Sequence, residues 1–212
     1  IGSPIHEFVR LCEEVHADLL VGGTVGHVHQ KGGVGTLSTQ CIRKCPCPVL
    51  LIHPQQKQPF KKIVACIDFS LHGNEALDQA VQMAAALGGK IDLLHVYFPP
   101  WKQLHYRSPA ENVEKEQRSI YLKKLQQKMH LIVEPRRKLL EEFDFETHLV
   151  EARTHGEGIV DFLAQKNADL AVLGTMGLSN IRYMLMGSTA ERVLRDLPCS
   201  VFCQKTPVAD GE

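Results

Sequence analysis

Leu170-Ala171-Val172-Leu173 is a short apolar run that ends in Gly174-Thr175-Met176-Gly177. Nine residues further on, Gly187-Ser188-Thr189 opens a helical stretch, Thr189-Ala190-Glu191-Arg192-Val193-Leu194-Arg195. A strand that ends in glycines and returns at a helix N-terminus can turn backbone N–H groups toward an anion, so this passage points to a phosphate-bearing ligand.

Working outward, the same passage occurs near the beginning of the chain. Ala17-Asp18-Leu19-Leu20-Val21-Gly22-Gly23-Thr24-Val25-Gly26 aligns with Ala168 to Gly177 at seven of ten identical positions. Gly35-Thr36 then matches Gly187-Ser188, and Cys45-Pro46-Cys47-Pro48-Val49 matches Leu197-Pro198-Cys199-Ser200-Val201. The early loop holds eight residues between Gly26 and Gly35, where the late one holds nine, so the register takes one gap. A repeat of roughly 150 residues is a domain duplication, not a solenoid.

The later copy reads as complete. Lys62 to Ile67 is a short strand, apolar from Ile63 onward, of the kind buried in a parallel sheet. From Asn74 to Leu87 the apolar residues recur at helical spacing, and Gly88-Gly89 stops the helix. Ile91–Phe98 is a second strand, closed by Pro99-Pro100; a long helical stretch runs from about Ala110 to Phe143, interrupted near Pro135. Further strands are read at 145–152, 170–173 and 200–204, with helices at 155–166 and 188–196. Strands alternating with helices give a parallel sheet.

The earlier copy is a back half only: helix 5–16, strand 18–22, helix 36–44 and strand 48–53. The expected organisation is therefore a C-terminal half-domain over 1–53 whose front half is absent, a linker over 54–60, a complete domain over 61–206 and a tail over 207–212.

Composition sets limits. The 212 residues carry 24 basic and 24 acidic side chains, so no overall field recruits nucleic acid or an anionic membrane. No apolar run approaches the ~20 residues that span a bilayer. Seven cysteines in no regular framework, with no secretory leader evident, lead to the expectation of a reducing, cytoplasmic setting.

These residues resemble the universal stress protein family in its tandem-domain form. The resemblance rests on a first strand ending in Asp, Val64-Ala65-Cys66-Ile67-Asp68, and a second ending in His-Val, Leu93-Leu94-His95-Val96. It rests further on Gly174, Gly177, Gly187 and Ser188 in the pattern Gly-x2-Gly-x9-Gly-Ser/Thr, and on Pro198-Cys199-Ser200-Val201. It covers nearly the whole chain, as one complete domain and half of another. It implies an α/β fold: a flavodoxin-like (adenine nucleotide alpha hydrolase-like) five-stranded parallel sheet in the order 3-2-1-4-5. In such a sheet a crevice opens at the carboxyl ends of strands 1 and 4.

The resemblance also implies a ligand, ATP (with AMP or ADP as variants), and Mg²⁺ with the triphosphate. The base would touch Cys66, Ile67, Val96 and Leu173, and Asp68 would meet ribose hydroxyls or the metal-bound phosphates. The phosphates would lie against Gly174, Gly177, Gly187, Ser188 and Thr189. Family members dimerise through the last strand, so Val49–Ile52 and Val201–Cys203 are expected to pair, as an internal pseudo-dimer or in a homodimer.

Each residue also has a plainer reading. Ser188-Thr189-Ala190-Glu191 is an S-x-x-E capping box, the glycines could be simple turn residues, and Asp68 could cap the helix that follows. His95, on an apolar strand, reads as a buried core histidine, Arg182 as an exposed loop residue, and Met176, Met184 and Met186 as loop packing. His27-Val28-His29 and Cys45-Pro46-Cys47 lack the ligand spacing of a structural zinc site, so no metal site is expected. No Ser-His-Asp or Cys-His set is defensible by spacing, so the chain is expected to lack catalytic residues and to show at most weak ATP hydrolysis. The leading expectation is an ATP-binding stress sensor or regulator. The alternatives are a nucleotide-free dimerisation scaffold and a slow ATPase.

Overall fold

A computed structural model describes residues 3–25, 33–99, 111–174 and 186–205. In chain order the elements are α1 (Pro4–Glu14), β1 (Leu20–Gly23), α2 (Thr36–Lys44), β2 (Val49–Ile52), β3 (Lys62–Cys66), α3 (Leu71–Leu87) and β4 (Lys90–Tyr97). They continue with α4 (Glu111–Val133), α5 (Arg137–Leu140), β5 (Phe145–Glu151), α6 (His155–Lys166), β6 (Leu170–Gly174), α7 (Ser188–Arg195) and β7 (Ser200–Gln204). Pro135 lies in a single 3₁₀ turn, Glu134–Arg136, between α4 and α5. This is where a ring without an N–H cannot continue an α-helix.

All seven strands join one sheet, in the order β1-β2-β7-β6-β3-β4-β5. Every neighbouring pair is parallel except β2 and β7, which run antiparallel with Val49 opposite Cys203, Leu50 opposite Phe202 and Leu51 opposite Val201. The last strands of the two sequence copies therefore pair within the chain. Each has its other neighbour, β1 or β6, so neither keeps a free edge for a second copy.

Alternation along each strand divides the core into two layers. Val64, Cys66, Ala171, Leu173, Val201 and Cys203 face one side, with Cys12, Ile42, Phe162, Leu163 and Val193 from α1, α2, α6 and α7. Ile63, Ala65, Leu93, Leu170, Val172 and Phe202 face the other, with Leu77, Ala80, Met129, Ile132 and Leu140 from α3, α4 and α5. The first layer runs unbroken beneath the β2–β7 junction, so the elements before the linker and those after it share a core.

One glycine fastens them further. Gly33 has φ +97°, a left-handed conformation that glycine adopts without a Cβ clash. An added Cβ there would stand 2.0 Å from the Arg195 carbonyl oxygen. The next residue, Val34, donates its N–H to Leu194 O at 2.8 Å, so a loop of the first copy closes the C-terminal end of α7.

Candidate functional site

β3 and β6 lie side by side with Cys66 opposite Leu173. The chain leaves β3 for β4 and β5 on one side, then crosses back to β6 on the other. A crevice at the carboxyl ends is the geometric result of that reversal. It holds a cavity of about 370 Å³, within the size range of small-molecule sites.

Cys66, Ile67, Leu94 and Val96 form part of the wall from the β3 and β4 ends, and Leu173 and Gly174 come from β6. These surfaces are apolar. Burial pushes the Cys66 thiol well above its ordinary pKa, helped by the neighbouring Cys199, so the thiol stays neutral.

The turn after β3 is held by Asp68. Its Oδ1 accepts from Ser70 N at 3.0 Å and from the Ser70 hydroxyl, while Ser70 Oγ accepts from Gly73 N at 3.1 Å and caps α3. The helix-capping role read for Asp68 is thus carried out at one remove, by orienting Ser70, and Asp68 still lines the cavity. Gly73 packs tightly on this turn: a Cβ there would meet Asp68 Oδ1 at 3.0 Å and Asp68 N at 3.2 Å. Phe69, between them, has φ +61°, a strained value for an aromatic residue, and its ring lies 4.1 Å from that of His95.

His95 sits on β4, 9% exposed, with Nδ1 2.9 Å from Ile67 O. A carbonyl only accepts, so Nδ1 carries the proton and Nε2 is left as an acceptor in the neutral ring. Burial lowers the pKa of His95, reinforced by the nearby His155 and Lys128 and opposed by the Ile67 carbonyl and Asp68. The core reading of His95 therefore holds, and the residue lines the cavity as well.

The remaining wall is the start of α7. Gly187, not Ser188, is its N-cap, and no side chain caps the helix. The capping box is not formed: Ser188 stands at the first helical position, where it is no N-cap, and Glu191 pairs with Arg43 on α2. First-turn N–H groups of a helix have no partner inside the helix, and here they border a cavity lined by Gly187, Ser188, Thr189 and Ala190. Gly187 has ordinary extended backbone, φ −61° and ψ 144°, and a Cβ added to it would meet nothing within 4 Å. Among the described residues, the space next to it is open.

Of the residues expected at a ligand site, Cys66, Ile67, Asp68, Val96, Leu173, Gly174, Gly187, Ser188 and Thr189 all border this one cavity. Gly177 lies outside the described residues, as do Met176, Arg182, Met184, His27 and His29. Met186 is buried in the core layer beneath α7. Sequence reasoning missed Gly73, Leu94, His155, Ile159, Ala190 and Val193. Ala190 and Val193 could have been found from the three-residue spacing that puts them on one helix face with Gly187. Nothing in the sequence signals that His155, the first residue of α6, comes to the same wall.

A second polar group lies away from the cavity. Among the described residues, Asp92, Glu146 and His148 bring ligand atoms within 4.8 Å of one another. Asp92 is 1% exposed, with His148 Nε2 at 2.7 Å from Oδ1. The Lys166 ammonium already stands 3.4 Å from Asp92 and 3.2 Å from Glu146, and supplies the counter-charge that a cation would bring. No helix among the described residues is long and apolar enough to cross a membrane.

Comparison with known proteins places these features in a family. The universal stress protein family matches residues 1–53 and 59–205. Universal stress protein MJ0531 of Methanocaldococcus jannaschii is 30% identical over 154 residues, covering 70% of this chain and 84% of that protein. A universal stress protein E homolog of Haemophilus influenzae is 25% identical over 181 residues, 77% of this chain and 53% of that protein. Among solved structures, a universal stress protein from Archaeoglobus fulgidus superposes with a TM-score of 0.63 at 20% identity, over 96% of this chain and 67% of that one. UspA from Lactobacillus plantarum gives 0.57 at 21% identity, over 70% of this chain and all of its own. The chain belongs to the universal stress protein family.

Proposed function

We propose that this chain binds ATP, with Mg²⁺, in the cavity between the ends of β3 and β6, and acts as a nucleotide-responsive regulator of a stress response. One observation carries the reading: an uncapped helix N-terminus and an open-sided glycine face an apolar cleft at the point where the sheet changes direction. The apolar walls suit a purine, and the amide-rich rim suits an anionic tail.

In this reading the base packs on Cys66, Ile67, Val96 and Leu173. His95 presents Nε2 as an acceptor, and Asp68 takes hydrogen bonds from ribose hydroxyls or stands beside the phosphate-bound Mg²⁺. The phosphates lie against the backbone of Gly174, Gly177, Gly187, Ser188 and Thr189, with the Ser188 hydroxyl as a further donor. Regulation follows from mass action: nucleotide stabilises the form that binds it, by about 2.7 kcal/mol at a hundredfold excess over Kd.

Titration calorimetry and thermal melting with ATP and Mg²⁺ test this. Saturable heat and a concentration-dependent rise in Tm are expected. No heat and no shift at millimolar ATP would leave the nucleotide-free scaffold standing. Product analysis over hours separates a binder from a slow hydrolase.

A further inference from the structure

The start of α7 carries the letters of a capping box, Ser188-Thr189-Ala190-Glu191. In such a box the serine hydroxyl accepts from the N–H three residues on, and the glutamate carboxylate reaches back to the serine N–H. Here Gly187 is the N-cap instead, and no side chain caps the helix. The Glu191 N–H donates to Gly187 O at 3.0 Å. The Glu191 carboxylate accepts from the guanidinium of Arg43, in the last turn of α2. The neighbouring Arg192 is engaged elsewhere, by Glu157 at 3.1 Å and Asp196 at 3.5 Å. The duplication does not itself call for the Arg43–Glu191 pair. Exchanging the two copies turns it into Arg195 and Thr39, which cannot form an ion pair. Thr39 donates its hydroxyl to Gly35 O at 3.0 Å, at the start of its own helix.

We propose that Arg43 is a positioning residue for the nucleotide: it holds the Glu191 carboxylate away from the N-terminus of α7 and so keeps the amides of the cavity rim free for phosphate. This rests on the nucleotide reading of that cavity. Released from Arg43, the carboxylate completes the box, with Ser188 as N-cap in place of Gly187. A side-chain anion then occupies the Ser188 N–H, and the Ser188 hydroxyl turns to the Glu191 N–H. Ser188 lines the cavity, so both changes remove donors from its rim. The partial positive charge of a helix N-terminus draws a carboxylate and a phosphate alike. Glu191 is thus a tethered competitor of the phosphates, and Arg43 is its restraint. Arg43 and Glu191 are 39% and 42% exposed, so the pair can open without unfolding the chain.

Two other roles for the pair behave differently on substitution. A strut that merely ties α7 to α2 is lost equally whichever partner is removed. A remote cation that attracts phosphates acts whether or not Glu191 is present. Only in the restraint role does the effect of losing Arg43 depend on Glu191.

The test uses the full chain unaltered, as Arg43→Met, as Glu191→Ala and as the double variant, with melting curves to show that each is folded. Without nucleotide, exchange of the Ser188 N–H with solvent is followed by NMR. Arg43→Met should slow it; Glu191→Ala and the double variant should not. Calorimetry with ATP and Mg²⁺ reads the consequence. Arg43→Met should weaken binding about fivefold or more. Glu191→Ala should bind at least as tightly as the unaltered chain, and the double variant should match Glu191→Ala. Equal losses in the two single variants overturn the proposal, as does a double variant as weak as Arg43→Met. Unchanged Ser188 exchange in Arg43→Met overturns it as well. Absence of ATP binding by the unaltered chain removes the nucleotide reading, and the exchange measurement then decides by itself whether Arg43 restrains Glu191.

Discussion

Cys66, the last residue of β3, is the sheet partner of Leu173 on β6, and both line the same cavity. They are more than a hundred residues apart, and between them the chain makes two further strands and returns. That return sets the strand ends apart and leaves the cleft in which the nucleotide reading rests.

Gly187 separates binding from folding. Its backbone is one that any residue adopts, and a Cβ would meet nothing. Gly187→Val is therefore expected to fold, with a stability loss of about 1 kcal/mol or less from the altered cap. If ATP phosphates approach the rim of α7, the added side chain stands in their way. Affinity should fall at least tenfold, about 1.4 kcal/mol or more. Calorimetry on the variant, with its melting curve as control, checks both; unchanged affinity would remove the phosphates from this rim.

Gly33 should behave in the opposite manner. Gly33→Ala places a methyl 2.0 Å from the Arg195 carbonyl oxygen, a backbone atom, at φ +97°. A loss of about 2 kcal/mol or more is expected from overpacking and left-handed strain together. Urea unfolding measures it, and a neutral result would mean that the loop of the first copy does not hold the end of α7.

Acid should destabilise the protein through His95. Its folded pKa is held below the ordinary 6.5, chiefly by burial, so the unfolded chain takes up a proton that the folded chain refuses. Stability is then full above pH 6.5 and declines as pH falls from 6.5 toward the lowered folded value. His53, also lowered by burial, adds to the same slope. His95→Gln should remove part of the slope between pH 7 and pH 5, measured by urea unfolding at each pH. A wild-type curve flat over that range contradicts the assignment.

Lys166 should matter to folding although its side chain is only half-buried. The buried Asp92 carboxylate counts on His148 at 2.7 Å and on Lys166 at 3.4 Å. Lys166→Met leaves that charge less compensated, and a loss of about 1–3 kcal/mol is expected. Denaturant midpoints of Lys166→Met, of Asp92→Asn and of the double variant report the coupling; additive effects would show that the pair is not linked.

Much of the architecture could be read along the chain, because it rests on local rules. The break at Pro135, the stop at Gly88 and the alternation of buried strands with helices are each decided by a few neighbouring residues. Gly88 is in the left-handed C-cap conformation that its position suggests. The residues of the candidate site were legible for a related reason: the ends of strands and the start of a helix carry them, and these are marked by glycine and aspartate.

Local rules fail where contact depends on distant segments. The Ser188 capping box is present in the sequence, yet Glu191 is claimed by Arg43 from the other copy. His155 joins the cavity only because α6 packs beside β3 and β4. Cys12, Cys41, Cys45 and Cys47 enter one buried layer only when α1 folds onto α2 and β2.

By itself, then, the sequence determined the elements, their repeat and the glycine-marked strand ends, since periodicity and backbone freedom act over a few residues. The tertiary structure decided that the last strands pair within the chain and antiparallel, that the core is shared, and what shape the cleft takes. Those depend on which buried surfaces come together across some 150 residues of chain, a choice made by packing and not by any local pattern.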